Sequence, residues 1–235
     1  RHTRCLSDWS SDVCSSDLVD VPIGYGSDTG AGGEVRGNYC TFNPVYIVSG
    51  NSNSGSTWSD GNLKFTNGSS NNLSSMSTMA LPTTGKWYWE ISVPTFGSGS
   101  SPGIGICDYT GLNSGAGGWW YRSNGNKYDQ SGNGFSYGAT WTTTDIIGVA
   151  VDMDAATLTF YKNGTSQGVA WTSITTGVSQ TLLYPFVRVN VAGDVFIANF
   201  GQRAFSYTAP SGFKALCTQN LSTPTINNEI GRAHV

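Results

Sequence analysis

Two carboxylates, Asp152 and Asp154, stand two apart in the run 145–161 and fall on one face of an expected strand, roughly 7 Å from one another. A pair of acids about 5–9 Å apart can hydrolyse a glycosidic bond, one giving a proton while the other attacks or activates water. Asp154, however, opens a turn, where Asp is favoured for local reasons. The only glutamates within 19–228 are Glu34 and Glu90, and no strand carries an E-x-D-x-x-E arrangement of acids. Nucleophilic catalysis by Ser or Cys needs a base, yet the histidines are His2 and His234, both in terminal stretches set aside below. The same absence removes most transition-metal sites. A calcium site drawn from Asp108, Asp152 and Asp154 falls short of the six or so oxygens that a hard cation takes. Gly103-Ile104-Gly105 lacks the Lys and the helix start of a phosphate cradle. The sequence therefore predicts no catalytic residue, no metal ligand and no cofactor.

Aromatic rings are what the chain offers instead. Between Cys107 and Trp141 lie Tyr109, Trp119, Trp120, Tyr121, Tyr128, Phe135 and Tyr137, interspersed with Gly, Ser and Asn. Short strands cannot bury so many rings, so some are expected to face solvent. Adjacent Trp119 and Trp120, if they continue one strand, point to opposite faces, one to a core and one outward. Large rigid rings beside small adaptable hydrogen bonders are the make-up of recognition loops. Arg122 could add a charge-assisted bond. The predicted ligand-binding residues are Tyr109, Trp119, Trp120, Tyr121, Arg122, Tyr128 and Tyr137. The alternative is that both indoles fill the interior and the tyrosines are ordinary surface residues.

The elements that would carry them are strands. In 145–161 strict alternation puts Ile147, Val149, Val151 and Met153 on one face and Gly148, Ala150, Asp152 and Asp154 on the other. A two-residue loop at Ala155-Ala156 would pair Met153 with Leu158, Val151 with Phe160 and Asp152 with Thr159. Ala-Ala is poor chemistry for a primed turn, whereas the following Asn163-Gly164 suits one well. In 85–93 the alternation sends Trp87, Trp89, Ile91 and Val93 inward and Lys86, Tyr88, Glu90 and Ser92 outward. A shared core of Trp87, Trp89, Val149, Val151, Leu158, Phe160, Val187 and Phe200 is expected. Charged residues are only 11% of the chain against 31 glycines, and helix-forming runs are scarce, so the fold class is all-β. No apolar run approaches a membrane span, and a net charge of −3 without basic clusters argues against nucleic acid and anionic membrane.

The two ends read differently. Stretch 229–235 can be encoded by nucleotides whose reverse complement translates as 12–18, and those nucleotides resemble the common adapter of short-read sequencing libraries. Stretches 1–18 and 229–235 are accordingly expected to be adapter-derived and are set aside from fold reasoning. Stretch 19–38 reads as a linker or the remnant of an upstream domain, 39–217 as the sandwich, and 218–228 as a linker to a further domain. Cys40, Cys107 and Cys217 then remain, without CxxC spacing, and are expected to be small buried hydrophobes.

Several phrases occur together in order: G-K-W-Y-W-E-I at 85–91, W-W-Y-R-S-N-G-N-K-Y at 119–128, D-I-I-G-V-A-V-D-M-D-A-A-T-L-T-F-Y at 145–161, L-Y-P-F-V at 183–187 and V-F-I-A-N-F-G-Q-R-A-F at 195–205. Together they resemble the SPRY domain, an antiparallel two-sheet β-sandwich of concanavalin-like architecture. Where family members usually carry Gly before the hairpin's first Asp, this chain has Thr144. Phrases at 37–44 and 212–226 resemble those that open and close SPRY-like segments in tail and surface proteins of bacterial viruses. The resemblance implies a module that binds without chemistry, its partner a protein segment or a surface glycan of a host cell. It also implies a place in a phage virion or tail-associated protein, virion or extracellular, with oligomers possible through flanking regions. The rival expectations are a structural spacer of a fibre and, third, a glycoside hydrolase of sandwich fold.

Overall fold

Alternating apolar side chains turn the middle of the chain into strands that each bury one face. The computed structural model describes residues 30, 32–33, 37–45, 55–68, 73–97, 99–108, 117–175 and 182–221. In chain order the strands are β1 (Thr57–Ser59), β2 (Lys64–Thr66), β3 (Leu73–Met76), β4 (Lys86–Thr95), β5 (Gly103–Asp108), β6 (Gly118–Arg122) and β7 (Asn126–Tyr128). They continue with β8 (Gly134–Ser136), β9 (Ile146–Asp152), β10 (Thr157–Lys162), β11 (Thr165–Thr172), β12 (Leu183–Val189), β13 (Val195–Asn199) and β14 (Lys214–Ala215). One sheet runs β1-β2-β13-β4-β9-β10-β11, with β14 added beside β4; the other runs β3-β12-β5-β6-β7-β8. Every pairing is antiparallel except that of β14 with β4. The expected all-β, two-sheet sandwich is the observed fold.

The space between the sheets is filled from both inner faces. Trp87, Trp89, Ile91 and Val93 of β4 meet Ile147, Val149 and Val151 of β9 and Leu158 and Phe160 of β10. Val187 and Phe200 join the same cluster, so the eight expected core residues are together. Cys40, Cys107 and Cys217 are all buried, and burial pushes the Cys40 thiol up to about 11.

The central hairpin keeps its faces but not its expected register. Val151 pairs with Leu158 and Val149 with Phe160, while Asp152 pairs with Thr157 rather than Thr159. The shift is by an even step, so no side chain changes side. Turn chemistry is the cause: Ala155-Ala156 cannot supply a primed two-residue turn, and residues 153–156 form a longer one. Asp152 Oδ1 accepts from the Ala155 N–H at 2.9 Å, and Ala156 takes the left-handed conformation at φ 52°. Asn163 (φ 49°) and Gly164 (φ 77°) make the tight turn into β11 as expected.

A second departure concerns the outer face of β4. Tyr88 and Glu90 do point away from the inter-sheet core, but they are 1% and 2% exposed. The chain after β13 lies across them. Glu90 accepts backbone N–H groups of Ser206 (2.7 Å) and Tyr207 (2.9 Å), and the Phe205 ring meets Tyr88 edge-on at 5.0 Å. A strand pattern reveals which face a residue takes; it does not reveal what later chain covers that face.

Candidate recognition face

The expected acid pair is occupied by structure. Asp152 bridges Lys86 at 3.0 Å and Asp154 accepts the Gly85 N–H at 2.8 Å. Burial alone would raise the Asp152 carboxyl, but the Ala155 N–H and the Lys86 ammonium hold it below its ordinary range. Clefts of about 570 and 490 Å³ lie against 204–214, where that segment crosses the start of β4. Lys86 and Asp154, on the rim of the smaller one, are the groups just described as paired.

The aromatic stretch is placed by β6 and β7. As the alternation requires, Trp119 and Trp120 point to opposite faces of β6. Both are only 4% exposed, which corrects the expectation that the outward indole lies open. Trp119 belongs to the inter-sheet core. Tyr121 is also an inward residue, fully buried, its hydroxyl donating to the Ala139 carbonyl oxygen. Tyr137 lies against the rings of Tyr121 and Phe160 and donates to the Gly168 carbonyl at 2.5 Å. Trp119, Tyr121 and Tyr137 therefore serve the fold. Tyr109 lies outside the described residues.

Trp120, Arg122 and Tyr128 come together on the outer face of the second sheet. The Trp120 indole stacks on the Tyr128 ring with centroids 5.4 Å apart and planes 6° from parallel. Neighbouring β5 makes room for it: a Cβ on Gly103 would stand 2.6 Å from the indole and one on Gly105 2.0 Å from the Trp119 carbonyl oxygen. Beyond β5, Phe186 of β12 meets Trp120 edge-on at 6.1 Å. Arg188, also on β12, sets its guanidinium over the indole at 5.4 Å, and Arg122 sets its own over Tyr128 at 5.2 Å. Arg188 thus lies over Trp120 and Arg122 over Tyr128, the two rings stacked on one another, with Tyr184 partly exposed beside them.

The electrostatics of this face are one-sided. Arg122 donates from Nε to the Ser101 carbonyl at 2.8 Å and from an Nη to the Tyr128 hydroxyl at 3.3 Å. Burial would raise the Tyr128 phenol, but the bond and the charge of Arg122 bring it below its usual value. Burial first, and the charge of Arg122 second, lower the Arg188 guanidinium. Tyr184, Phe186 and Arg188 are missing from the sequence-based set. Their spacing of two in L-Y-P-F-V-R-V was the available signal, but nothing in the sequence says that β12 lies one strand away from β6.

The described residues form an antiparallel two-sheet sandwich whose stacked rings and arginines gather on an outer sheet face. A family model of the SPRY domain matches residues 86–203, half of the chain, and the chain belongs to the SPRY domain family. Human Ran-binding protein 9 is 34% identical over 130 residues, covering 52% of this chain and 17% of that protein. The Ran-binding proteins 9/10 homolog of Drosophila melanogaster is 33% identical over 129 residues, covering 52% and 13%. The chain thus spans less than a fifth of the length of these curated relatives. The crystal structure of the SPRY domain of human HERC1 shares the fold at a TM-score of 0.52 and 22% identity, over 61% of this chain and 91% of that one. These relatives are animal proteins named for binding Ran, and they overturn the expected virion or extracellular location.

Proposed function

We propose that this chain is a recognition module that binds a segment of another protein and performs no chemistry on it. The observation that carries the reading is the outer face of the second sheet, where partly exposed Arg122, Tyr128, Tyr184 and Arg188 surround a rigid, buried indole. Rings held by stacking lose little freedom on binding, and flat guanidiniums supply directional donors. Relatives named for binding a protein are in keeping with a protein ligand rather than a glycan. Selecting a random displayed peptide library on the folded chain should enrich a related set of sequences, and calorimetry on one of them should show saturable binding weakened by Tyr184→Ala. A library that yields no enriched sequence would defeat the reading. In that case the structural spacer takes its place, favoured by the burial of both Trp119 and Trp120.

A further inference from the structure

Among the described residues, the two arginines of the second sheet's outer face meet no carboxylate. The ion pairs among the described residues are Lys86 with Asp152 and Lys162 with Asp145, both on the other sheet. The remaining buried acids are also placed elsewhere. Glu90 holds the backbone of Ser206 and Tyr207, Asp194 holds the Gly97 N–H at 2.9 Å and the Ser100 hydroxyl at 2.7 Å, and Asp108 shares the inner side of β5 with Ile104 and Ile106. Across this face the outward positions are Ser74 and Met76 on β3, then Gly103, Gly105 and the buried thiol Cys107 on β5, and Asn126 and Tyr128 on β7. None carries negative charge.

Arg188 is the sharper case. Its guanidinium meets the indole beneath it and the repulsive charge of Arg122 beside it, and it makes no hydrogen bond to a described residue. Arg188 and Arg122 both stand opposite Gly103 in the register, one on each side of β5, so two partly buried like charges oppose one another across that strand in the unbound protein. A guanidinium held over an indole and without a hydrogen-bond partner among the described residues has its N–H fork available to take a carboxylate through two parallel bonds.

We infer that Arg122 and Arg188 form an anion-reading pair that selects protein segments bearing Asp or Glu side chains. The inference rests on the recognition reading above and adds the chemistry of the ligand. A carboxylate seated between the two guanidiniums relieves their mutual repulsion, while Tyr184 and Tyr128 flank the segment that carries it. Nucleic acid suits the face less well. Binding a phosphate backbone draws on a row of cations, whereas here two arginines stand on a chain of net charge −3. Lys127 is turned to the other side of its strand, donating to the Ala170 carbonyl at 2.6 Å.

The test titrates the full chain, by fluorescence anisotropy, into two labelled peptides that differ only in carrying Glu or Gln between Gly spacers. The Glu peptide should bind more tightly than the Gln peptide and lose affinity as salt is raised. Arg188→Gln should weaken the Glu peptide by about tenfold, and Arg188→Lys, which keeps the charge without the fork, should fail to restore it. Arg122→Gln provides a second variant if Arg188→Gln lowers the unfolding midpoint. Equal binding of both peptides, or an unchanged affinity in folded variants, would overturn the anion-reading pair while leaving peptide recognition intact. Displacement of the Glu peptide by a single-stranded RNA at lower concentration than by unlabelled peptide would also overturn it. Failure of the library selection is a separate result that strikes the recognition reading itself.

Discussion

Thr144 has φ 72°, in the left-handed region where a β-branched residue is a genuine outlier. It stays there because its neighbours demand it: its own N–H donates to the Val93 carbonyl at 3.0 Å and the Asp145 N–H to the Thr142 carbonyl at 3.2 Å. The SPRY resemblance leads one to expect Gly at this position, and the dihedral angle supplies the reason. The left-handed conformation costs an L-residue about 1–2 kcal/mol, while Gly costs about 0.5–1 kcal/mol through its freer unfolded chain. Thr144→Gly is therefore expected to stabilise the protein by about 0.5–1 kcal/mol, read as a higher urea midpoint at unchanged m-value. A lower midpoint would mean that the threonine side chain holds the turn by contacts that outweigh the strain.

Strand β9 is held at both ends by carboxylates, and this gives the fold its acid sensitivity. Asp145 accepts from the Thr142 N–H (2.8 Å) and from Asn163 Nδ2 (2.7 Å) and bridges Lys162 at 3.2 Å. Burial opposes its ionisation, but these partners prevail and lower its pKa, as they do for Asp152. A carboxyl whose folded pKa lies below its unfolded value of about 3.9 contributes stability above that value and loses it as pH falls through the folded one. Stability should thus be level near neutral pH and decline below about pH 4. Asp145→Asn should flatten part of that decline; an acid limb of unchanged slope would show that Asp145 is not among its causes.

The segment after β13 presents a second element-level dependence. Glu90 fastens 206–207 over the outer face of β4, and it also accepts from the Tyr88 hydroxyl at 3.2 Å. Burial, with the Glu90 charge next, pushes that phenol well above its ordinary value. Glu90→Gln leaves one acceptor oxygen where two were used and should cost about 1.5–3 kcal/mol, with faster proteolysis in 203–213. Equal cleavage rates in the two proteins would show that this segment is held mainly by the Phe205 and Tyr207 rings.

At the scale of the whole molecule, one core spans both sheets. Phe160 is fully buried and lies 5.4 Å, centroid to centroid, from Tyr121 of the opposite sheet. Phe160→Ala should cost about 3–5 kcal/mol, and tryptophan fluorescence and circular dichroism should report one coincident transition, because the main core draws its side chains from both sheets. Separate transitions would show that the sheets unfold independently.

Period-two alternation alone places Trp87, Trp89, Val149, Val151, Leu158 and Phe160 in one interior and sends Trp119 and Trp120 to opposite faces. Side-chain direction along a strand is a local property of the backbone, so the sequence carries it. The hairpin register is one step less legible, because it follows from the turn: Ala155-Ala156 disfavours the two-residue form, and the hydrogen bonds of Asp152 and Asp154 to the Ala155 and Gly85 N–H groups hold the longer one. The recognition face is legible only in part. Trp120, Arg122 and Tyr128 are close in sequence and are expected from it to act together, but Arg188 reaches them because β12 pairs with β5, which pairs with β6. Whether an outward residue stays open is likewise decided between distant segments, as Tyr88 and Glu90 show beneath 205–207. Strand order and surface cover arise from long-range pairing, whose free energy depends on the whole chain, and no local pattern of residues encodes them.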